Sequence, residues 1–268
     1  MATRIAVAGA AGRMGRRIIA LACADTAFKL VGALESPGSD LLGRDAGELA
    51  GIGQLGLTVT VAPPGEFDVL IDFSSPKGTM HWLGVGQEAR RALVIGTTGH
   101  DESAILKLRS AATAIPILKA ANMSVGVNLM LRLVRQAAAA LDDSYDVEIV
   151  EAHHRFKVDA PSGTALAIRD AVNAGRADAG NGPGHVVHGR QGNTGDRKAG
   201  EIGMHALRIG DTVGEHTISF GALGETISIS HSAHSRDTFA SGALRAAAWI
   251  AGKQPGLYDM QDVLFGRS

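Results

Sequence analysis

Strand and helix signals alternate through the first third of this 268-residue chain, a glycine-rich turn joins the first strand to the first helix, and later runs alternate polar with apolar residues between further glycine turns. These observations predict an α/β protein: an N-terminal doubly wound parallel sheet, then an α+β domain around a largely antiparallel sheet. Regular alternation requires crossover connections, so the first sheet is expected to be parallel with helices on both faces. Residues 4–8 read as a buried strand, 15–23 as a helix and 28–34 as a second strand, completing a βαβ unit. Strands at 58–61, 67–72, 92–96 and 115–118 follow, with helices at 78–88 and 101–112 and an Ala-rich helix at 127–141. Residues 145–151 alternate as a strand, and a helix begins at Thr164 behind Pro161 and Ser162. The Gly- and Asn-rich stretch 173–199 reads as a long exposed loop, and 201–209, 215–220 and 225–230 as an antiparallel meander. A last helix at 238–251 carries an Ala and Trp249 face suited to docking back on the first domain.

Composition narrows the function classes. A net charge of −1 lacks the electrostatic footprint of a protein that grips nucleic acid, so no nucleic-acid partner is expected. No apolar run approaches the roughly 18 residues that span a bilayer, and the early run from Ile5 to Ala11 is too short for a signal-peptide core. With a single cysteine, Cys23, no internal disulfide forms. The expectation is a soluble cytoplasmic protein without membrane partners.

The glycine turn is Gly9-Ala10-Ala11-Gly12-Arg13-Met14-Gly15, placed directly after a strand and opening a helix, with Glu35 at the end of the second strand. A dinucleotide needs a tight turn, a backbone without a side chain beside the pyrophosphate, and close helix-to-strand packing; Gly9, Gly12 and Gly15 can fill those roles. Glu35 stands where an acid hydrogen-bonds the adenosine ribose, and the surrounding βαβ unit makes this a Rossmann-like signal despite the G-x-x-G-x-x-G spacing. Gly96-Thr97-Thr98-Gly99 follows another strand of the same domain, at the carboxyl end where open α/β sheets bind ligands, though an ordinary capped loop reads the same way. Ala120-Ala121-Asn122-Met123 marks the passage to the second domain, with small residues that let backbone approach a bound ring.

The segment Glu151-Ala152-His153-His154-Arg155-Phe156-Lys157-Val158-Asp159-Ala160-Pro161-Ser162-Gly163-Thr164-Ala165 has the composition of an anion-binding catalytic loop between strand and helix. Ser162 is suited to cap the helix, and backbone N–H groups near Gly163 and Thr164, with Lys157 as a point charge, suit a carboxylate or phosphate. The bland alternative is that one or both histidines are merely packed, hydrogen-bonded strand residues. Adjacent histidines with no thiolate pair make a poor zinc site, so no metal is expected.

On these motifs, together with Ile71-Asp72-Phe73-Ser74, Ser124-Val125-Gly126-Val127-Asn128 and Gly210-Asp211-Thr212-Val213-Gly214-Glu215-His216, the chain resembles the 4-hydroxy-tetrahydrodipicolinate reductase (dihydrodipicolinate reductase) family of the diaminopimelate and lysine pathway. The resemblance spans nearly the whole chain, with 151–165 its most specific part. It implies a dinucleotide-binding domain at 1–123 completed by 235–268, and a substrate-binding and oligomerisation domain at 124–234, around a mixed, largely antiparallel sheet, that builds a homotetramer. It further implies NADH and/or NADPH as cofactor, a small cyclic dicarboxylate as substrate, and hydride transfer to the C4 carbon after the 4-hydroxyl leaves as water. His153 becomes the general acid/base and Lys157 a second proton donor, while His154, Ser162, Gly163 and Thr164 bind a carboxylate. Gly9, Ala10, Ala11, Gly12, Arg13, Met14, Glu35, Gly96, Thr97, Thr98, Ala120, Ala121, Asn122 and Met123 contact the nicotinamide dinucleotide. Two departures stand out: Ser36 follows Glu35 where many members carry an Arg, and Phe156 replaces a His of the His-His-Arg-His-Lys motif. Two other readings share the glycine turn: a different NAD(P)-dependent reductase of amino or semialdehyde acids, and a non-catalytic dinucleotide sensor. Neither needs His153 and Lys157.

Overall fold

The computed structural model describes residues 1–266, so the last two residues of the segment expected at 235–268 lie outside the described residues. The chain divides into two compact units, Met1–Val125 with the chain from Arg236 onward, and Gly126–Ser235.

The first unit runs β1 (Thr3–Ala8), α1 (Arg13–Ala24), β2 (Phe28–Leu34), α2 (Ala46–Ala50), β3 (Val59–Thr60), β4 (Val69–Asp72), α3 (Pro76–Ala89), β5 (Ala92–Ile95), α4 (Glu102–Ala111) and β6 (Pro116–Lys119). Its seven strands are parallel in the order β12-β6-β5-β4-β1-β2-β3, where β12 (Gly256–Tyr258) comes from the C-terminal segment. Alternate strand residues serve two cores, as a period of two requires. Ile5, Val7, Val69, Ile71, Val94 and Leu118 pack on one face with Ile18 and Ile19 of α1, whereas Ala6, Ala8, Leu70, Leu93, Ile95 and Ile117 face the other, against Trp82 and Leu83 of α3 and Leu108 of α4. Helix and strand approach closely at the glycine turn: a Cβ on Gly15 would lie 2.1 Å from the Gly9 carbonyl oxygen, and Gly9 itself has φ +74°.

The second unit carries α5 (Val125–Ala140), β7 (Asp146–His153), α6 (Gly163–Asp178), β8 (His185–His188), β9 (Glu201–Arg208), β10 (Gly214–Ala222) and β11 (Glu225–Ala233). Its five strands lie in the order β11-β10-β7-β9-β8. Met130, Val134, Ile168 and Val172 of the two helices bury Val147, Ile149, Ile202, Ile218 and Phe220 on one face. The opposite face is polar, with hydroxyl pairs Thr217–Ser230 at 2.9 Å and Ser219–Ser228 at 2.8 Å.

Two sequence expectations for this sheet need correction. Only β10 and β11 form a hairpin; β9 runs parallel to β7, which separates it from β10, so there is no three-strand meander. The connection at 209–213 wraps the end of β7, with Ile209 N donating to His153 O (2.8 Å) and Arg155 N to Gly210 O (3.0 Å). Nor is 173–199 one loop. Helix α6 continues to Asp178, because Gly175 allows close packing on α5 (a Cβ there would be 2.3 Å from Arg135 O), and β8 adds an edge strand.

In the first unit, α7 (Asp237–Ile250) places Ala240, Ala243, Ala247 and Ile250 in the same core as α1, with Trp249 against its margin. Three short elements lie outside the sequence expectations: α2, β12 and α8 (Met260–Phe265), the last starting at a capping box between Asp259 and Asp262. Among the described residues no helix is long and apolar enough to cross a membrane.

Candidate active site

The first unit presents its candidate residues at the carboxyl ends of its strands. Helix α1 starts at Gly12, whose cap carries no side-chain hydrogen bond, so the turn offers backbone rather than side chain at the helix N-terminus. Gly12 N donates to Gly9 O at 3.0 Å, fixing the turn. The Glu35 carboxylate accepts from Ala11 N at 2.9 Å, which ties the end of β2 to the glycine turn, and Arg16 Nε donates to Ala11 O at 2.7 Å. Arg13 and Ser36 are exposed.

Behind Gly96-Thr97-Thr98 sits a polar centre in which Asp72 and Ser74 carried no role in the sequence, although both belong to the Ile71-Asp72-Phe73-Ser74 motif. Asp72, fully buried at the end of β4, accepts from Ser74 N (3.0 Å), Ser74 Oγ (2.5 Å), Thr97 Oγ1 (3.2 Å) and Thr79 Oγ1. Thr97 therefore turns its hydroxyl inward, while Thr98 is exposed. Gly96 lies over Phe73, where a Cβ would come within 2.2 Å of the ring. Asn122 Oδ1 accepts from Ser124 N at 2.8 Å, and Gly242 of α7 packs on the Met123 carbonyl. Hence Gly9–Met14, Glu35, Gly96–Thr98 and Ala120–Met123 all belong to this unit.

In the second unit the structure brings His153, His154, Lys157, Ser162, Gly163 and Thr164 to the end of β7, the loop after it and the start of α6. Strand alternation turns Glu151 and His153 to the same side, and the Glu151 carboxylate, 1% exposed, holds His153 Nδ1 at 2.6 Å. That carboxylate also accepts from Ser162 N (3.0 Å) and from both terminal nitrogens of Arg208 (2.9 and 3.0 Å). Burial alone would push the Glu151 carboxyl up, but Arg208, His153 and the Ser162 N–H together hold it below the usual carboxylate range. Burial likewise lowers His153, opposed by Glu151 and reinforced by Lys157 and Arg208.

Ser162 caps α6 by accepting from Ala165 N at 3.2 Å and bonds His216 Nε2 at 3.0 Å, while the His153 and His216 rings meet edge to face with centroids 5.1 Å apart. Lys157 Nζ donates to Asp159 Oδ1 at 2.9 Å and is partly exposed. Phe156, at the position that departs from the His-His-Arg-His-Lys pattern, points outward at 79% exposure, so no imidazole is missing from the buried cluster.

Glu151, Arg208 and His216 were given no role by the sequence reading. Glu151 and His216 lay within quoted motifs. Arg208 had no local signal, since it reaches Glu151 only through the parallel pairing that sets it opposite His153.

Burial pushes His216 down to about 4, with His153 adding to the lowering, so the folded protein keeps it neutral. Its pKa is depressed relative to the unfolded chain, hence its contribution is complete above about 6.5 and is lost as pH falls toward 4. A gap of that size is worth on the order of 3 kcal/mol. Urea melts at pH 7 and pH 5 should show wild type losing more stability than His216→Asn over that interval; parallel losses would contradict the assignment.

An uncapped glycine turn at a helix N-terminus in a doubly wound parallel sheet, joined in one chain to a histidine–carboxylate centre beside a Ser-capped helix start, defines a two-unit oxidoreductase of the nicotinamide-dinucleotide class. Comparison with known proteins agrees. The sequence profile described as dihydrodipicolinate reductase, N-terminus, matches residues 3–123, and that described as dihydrodipicolinate reductase, C-terminus, matches residues 126–264. The chain belongs to the dihydrodipicolinate reductase family.

Solved structures share the fold. A dipicolinate-bound dihydrodipicolinate reductase from Paenisporosarcina sp. TG-14 is 23% identical, with a TM-score of 0.75 over 99% of this chain and 100% of that one. An amine dehydrogenase from Mycobacterium smegmatis is 14% identical, with a TM-score of 0.65 over 99% and 97%. An engineered D-amino acid dehydrogenase bound to NADP+ is 15% identical, with a TM-score of 0.56 over 100% and 97%. Family membership makes this a pyridine-nucleotide-dependent oxidoreductase of lysine biosynthesis by the diaminopimelate route, reducing 4-hydroxy-tetrahydrodipicolinate to tetrahydrodipicolinate with loss of water.

Proposed function

We propose that the first unit binds NADH or NADPH, that the second binds the cyclic dicarboxylate, and that His153 and Lys157 handle the protons of the reaction. The observation that carries this reading is the buried Glu151–His153 pair beside the N-terminus of α6, where a proton-transfer group and a carboxylate site occur together. Gly9 to Met14 and Glu35 suit the dinucleotide, because the turn presents an open helix N-terminus with no side-chain cap. Gly96, Thr97, Thr98, Ala120, Ala121, Asn122 and Met123 are assigned to the same ligand on their place at the carboxyl end of that sheet. When bound, the nicotinamide supplies the hydride.

His154, Ser162, Gly163 and Thr164 receive a substrate carboxylate, with backbone N–H groups at the helix start favoured by its dipole. Lys157 exchanges Asp159 for the incoming anion. His153 delivers a proton from Nε2 to the carbon next to the one that accepts hydride, and the substrate's carboxylates, by adding negative charge nearby, favour the imidazolium that must form first. The decisive assay is NADH oxidation with the condensation product of pyruvate and aspartate semialdehyde. Turnover supports the reading; cofactor binding with no turnover would favour a dinucleotide sensor.

The amide-bonded Glu35 and exposed Ser36 leave a 2′-phosphate facing a carboxylate without an adjacent Arg, and Arg16 spends Nε on the Ala11 carbonyl. NADH is therefore used at least as well as NADPH, and Ser36→Arg shifts kcat/KM toward NADPH. A wild type already preferring NADPH tenfold, about 1.4 kcal/mol, would show that Arg13 or Arg16 outweighs Glu35.

A homotetramer built on the sheet of the second unit is the proposed assembly. Strand β11 is an edge strand, its residues mostly exposed, and such edges are ordinarily paired or covered. Sedimentation at micromolar concentration should give a tetramer, and a concentration-independent monomer would remove the proposal.

A further inference from the structure

We infer that Glu151, locked by Arg208, is the positioning residue of the site: it keeps the proton on His153 Nδ1 and so makes Nε2 the nitrogen that exchanges protons with substrate. This rests on the reading of His153 as the acid/base and adds the residues that set its orientation and tautomer.

The geometry is fully occupied on one side of the ring and open on the other. Glu151 Oε2 takes His153 Nδ1 at 2.6 Å and Arg208 at 2.9 Å, and Oε1 takes Arg208 at 3.0 Å and Ser162 N at 3.0 Å. The other contacts of this carboxylate, with Ser162 N–H and the two Arg208 N–H groups, are all with donors, so it is ionised and acceptor-only, and Nδ1 must carry the hydrogen. Arg208 also donates to the Asp159 carbonyl, joining the loop that bears Lys157 to the same clamp. On the far side, Nε2 faces Gly214, where a Cβ would stand only 3.1 Å away. Glycine at that position leaves Nε2 uncovered, and among the described residues no hydrogen bond to another side chain occupies it.

The charged and titratable groups around the ring are Glu151 on β7, Lys157 on the following loop, Arg208 on β9 and His216 on β10. Lys157 and Arg208 disfavour the imidazolium, and Glu151 alone of the four favours it. When Nε2 gives its proton away, Nδ1–H stays with Glu151, so the ring returns to the one neutral tautomer able to be reprotonated at the same atom. An amide at position 151 offers Arg208 and the ring a mixed donor and acceptor, and loses both the tautomer lock and the charge.

The test combines kinetics and histidine-selective ¹⁵N NMR on the full-length protein, with the His153 resonances assigned as those missing from His153→Gln. In wild type above the ring's titration, Nδ1 should be protonated and Nε2 bare. Glu151→Gln should lower kcat about 10²-fold or more, leave NADH affinity nearly unchanged, and mix the tautomers. Its kcat/KM should also fall off at lower pH on the limb that requires protonated His153, because the carboxylate that favours the imidazolium is gone. A folded Glu151→Gln enzyme with wild-type kcat and pH profile would overturn the inference. So would a wild-type His153 protonated at Nε2 instead of Nδ1, a measurement that decides even if the variant does not fold. If His153→Ala kept full turnover while wild type showed the Nδ1–H tautomer, the acid/base reading would fall and the clamp geometry would stand.

Discussion

Removing the imidazole in His153→Ala is expected to lower kcat by about 10² to 10⁴, the usual worth of a positioned acid/base group, with NADH affinity nearly unchanged. Lys157→Ala should behave alike. Both side chains belong to the Gly126–Ser235 unit, whereas the glycine turn belongs to the other, so truncation on the loop leaves the turn's own contacts intact. His153→Ala also removes a partner of the buried Glu151, but Arg208 and Ser162 N still satisfy that carboxylate, so the clamp survives. Lys157 is partly exposed and, among the described residues, its ammonium pairs with the exposed Asp159, so its loss costs little stability. Steady-state kinetics together with a fluorescence titration of NADH separate turnover from binding. Wild-type turnover in both variants would sink the assigned roles.

The residues of both candidate clusters were legible in the sequence because each sits in a short run whose chemistry is local. A glycine turn after a strand, or a Ser-capped helix start behind two histidines, reads without knowledge of the rest of the chain. The alternation of β9, β10 and β11 was equally plain, as in the pattern of Ile218 and Phe220, which are buried, against Thr217 and Ser219. What alternation does not encode is the neighbour. Strand β7 lies between β9 and β10 although it precedes them by roughly fifty and sixty residues, and the meander expectation failed on that non-local pairing. Arg208 was lost for the same reason. Helix α6 outran its expected end because Asn173 and Gly175, poor helix formers on their own, are held by Gly184 N and by close contact with α5. The strand β12 has three residues and exists because α7 returns the chain beside β6.

The glycines of the turn divide into two kinds, and substitution should separate them. In Gly15→Ala the new Cβ would fall 2.1 Å from Gly9 O, 2.7 Å from Ala10 Cα and 2.8 Å from Gly9 C, all backbone atoms of the turn itself. Helix α1 must then move off β1, with a cost of about 1–3 kcal/mol typical of overpacking, and the turn loses the shape that Glu35 and Arg16 brace. Both the urea midpoint and NADH affinity should fall. Gly12 is different: its φ of −72° suits any residue and a Cβ there meets only Gly9 O, at 3.1 Å. Gly12→Ala should therefore keep a near-native midpoint while weakening NADH binding, because the methyl group stands where the dinucleotide's backbone approach is required. Gly84→Ala supplies the control, since a Cβ in α3 at that point meets nothing within 4 Å and should add about 0.4–1 kcal/mol through the unfolded chain. If Gly12→Ala bound NADH as tightly as wild type, the glycine turn would be a packing device for α1 and the assignment of the pyrophosphate to it would be wrong.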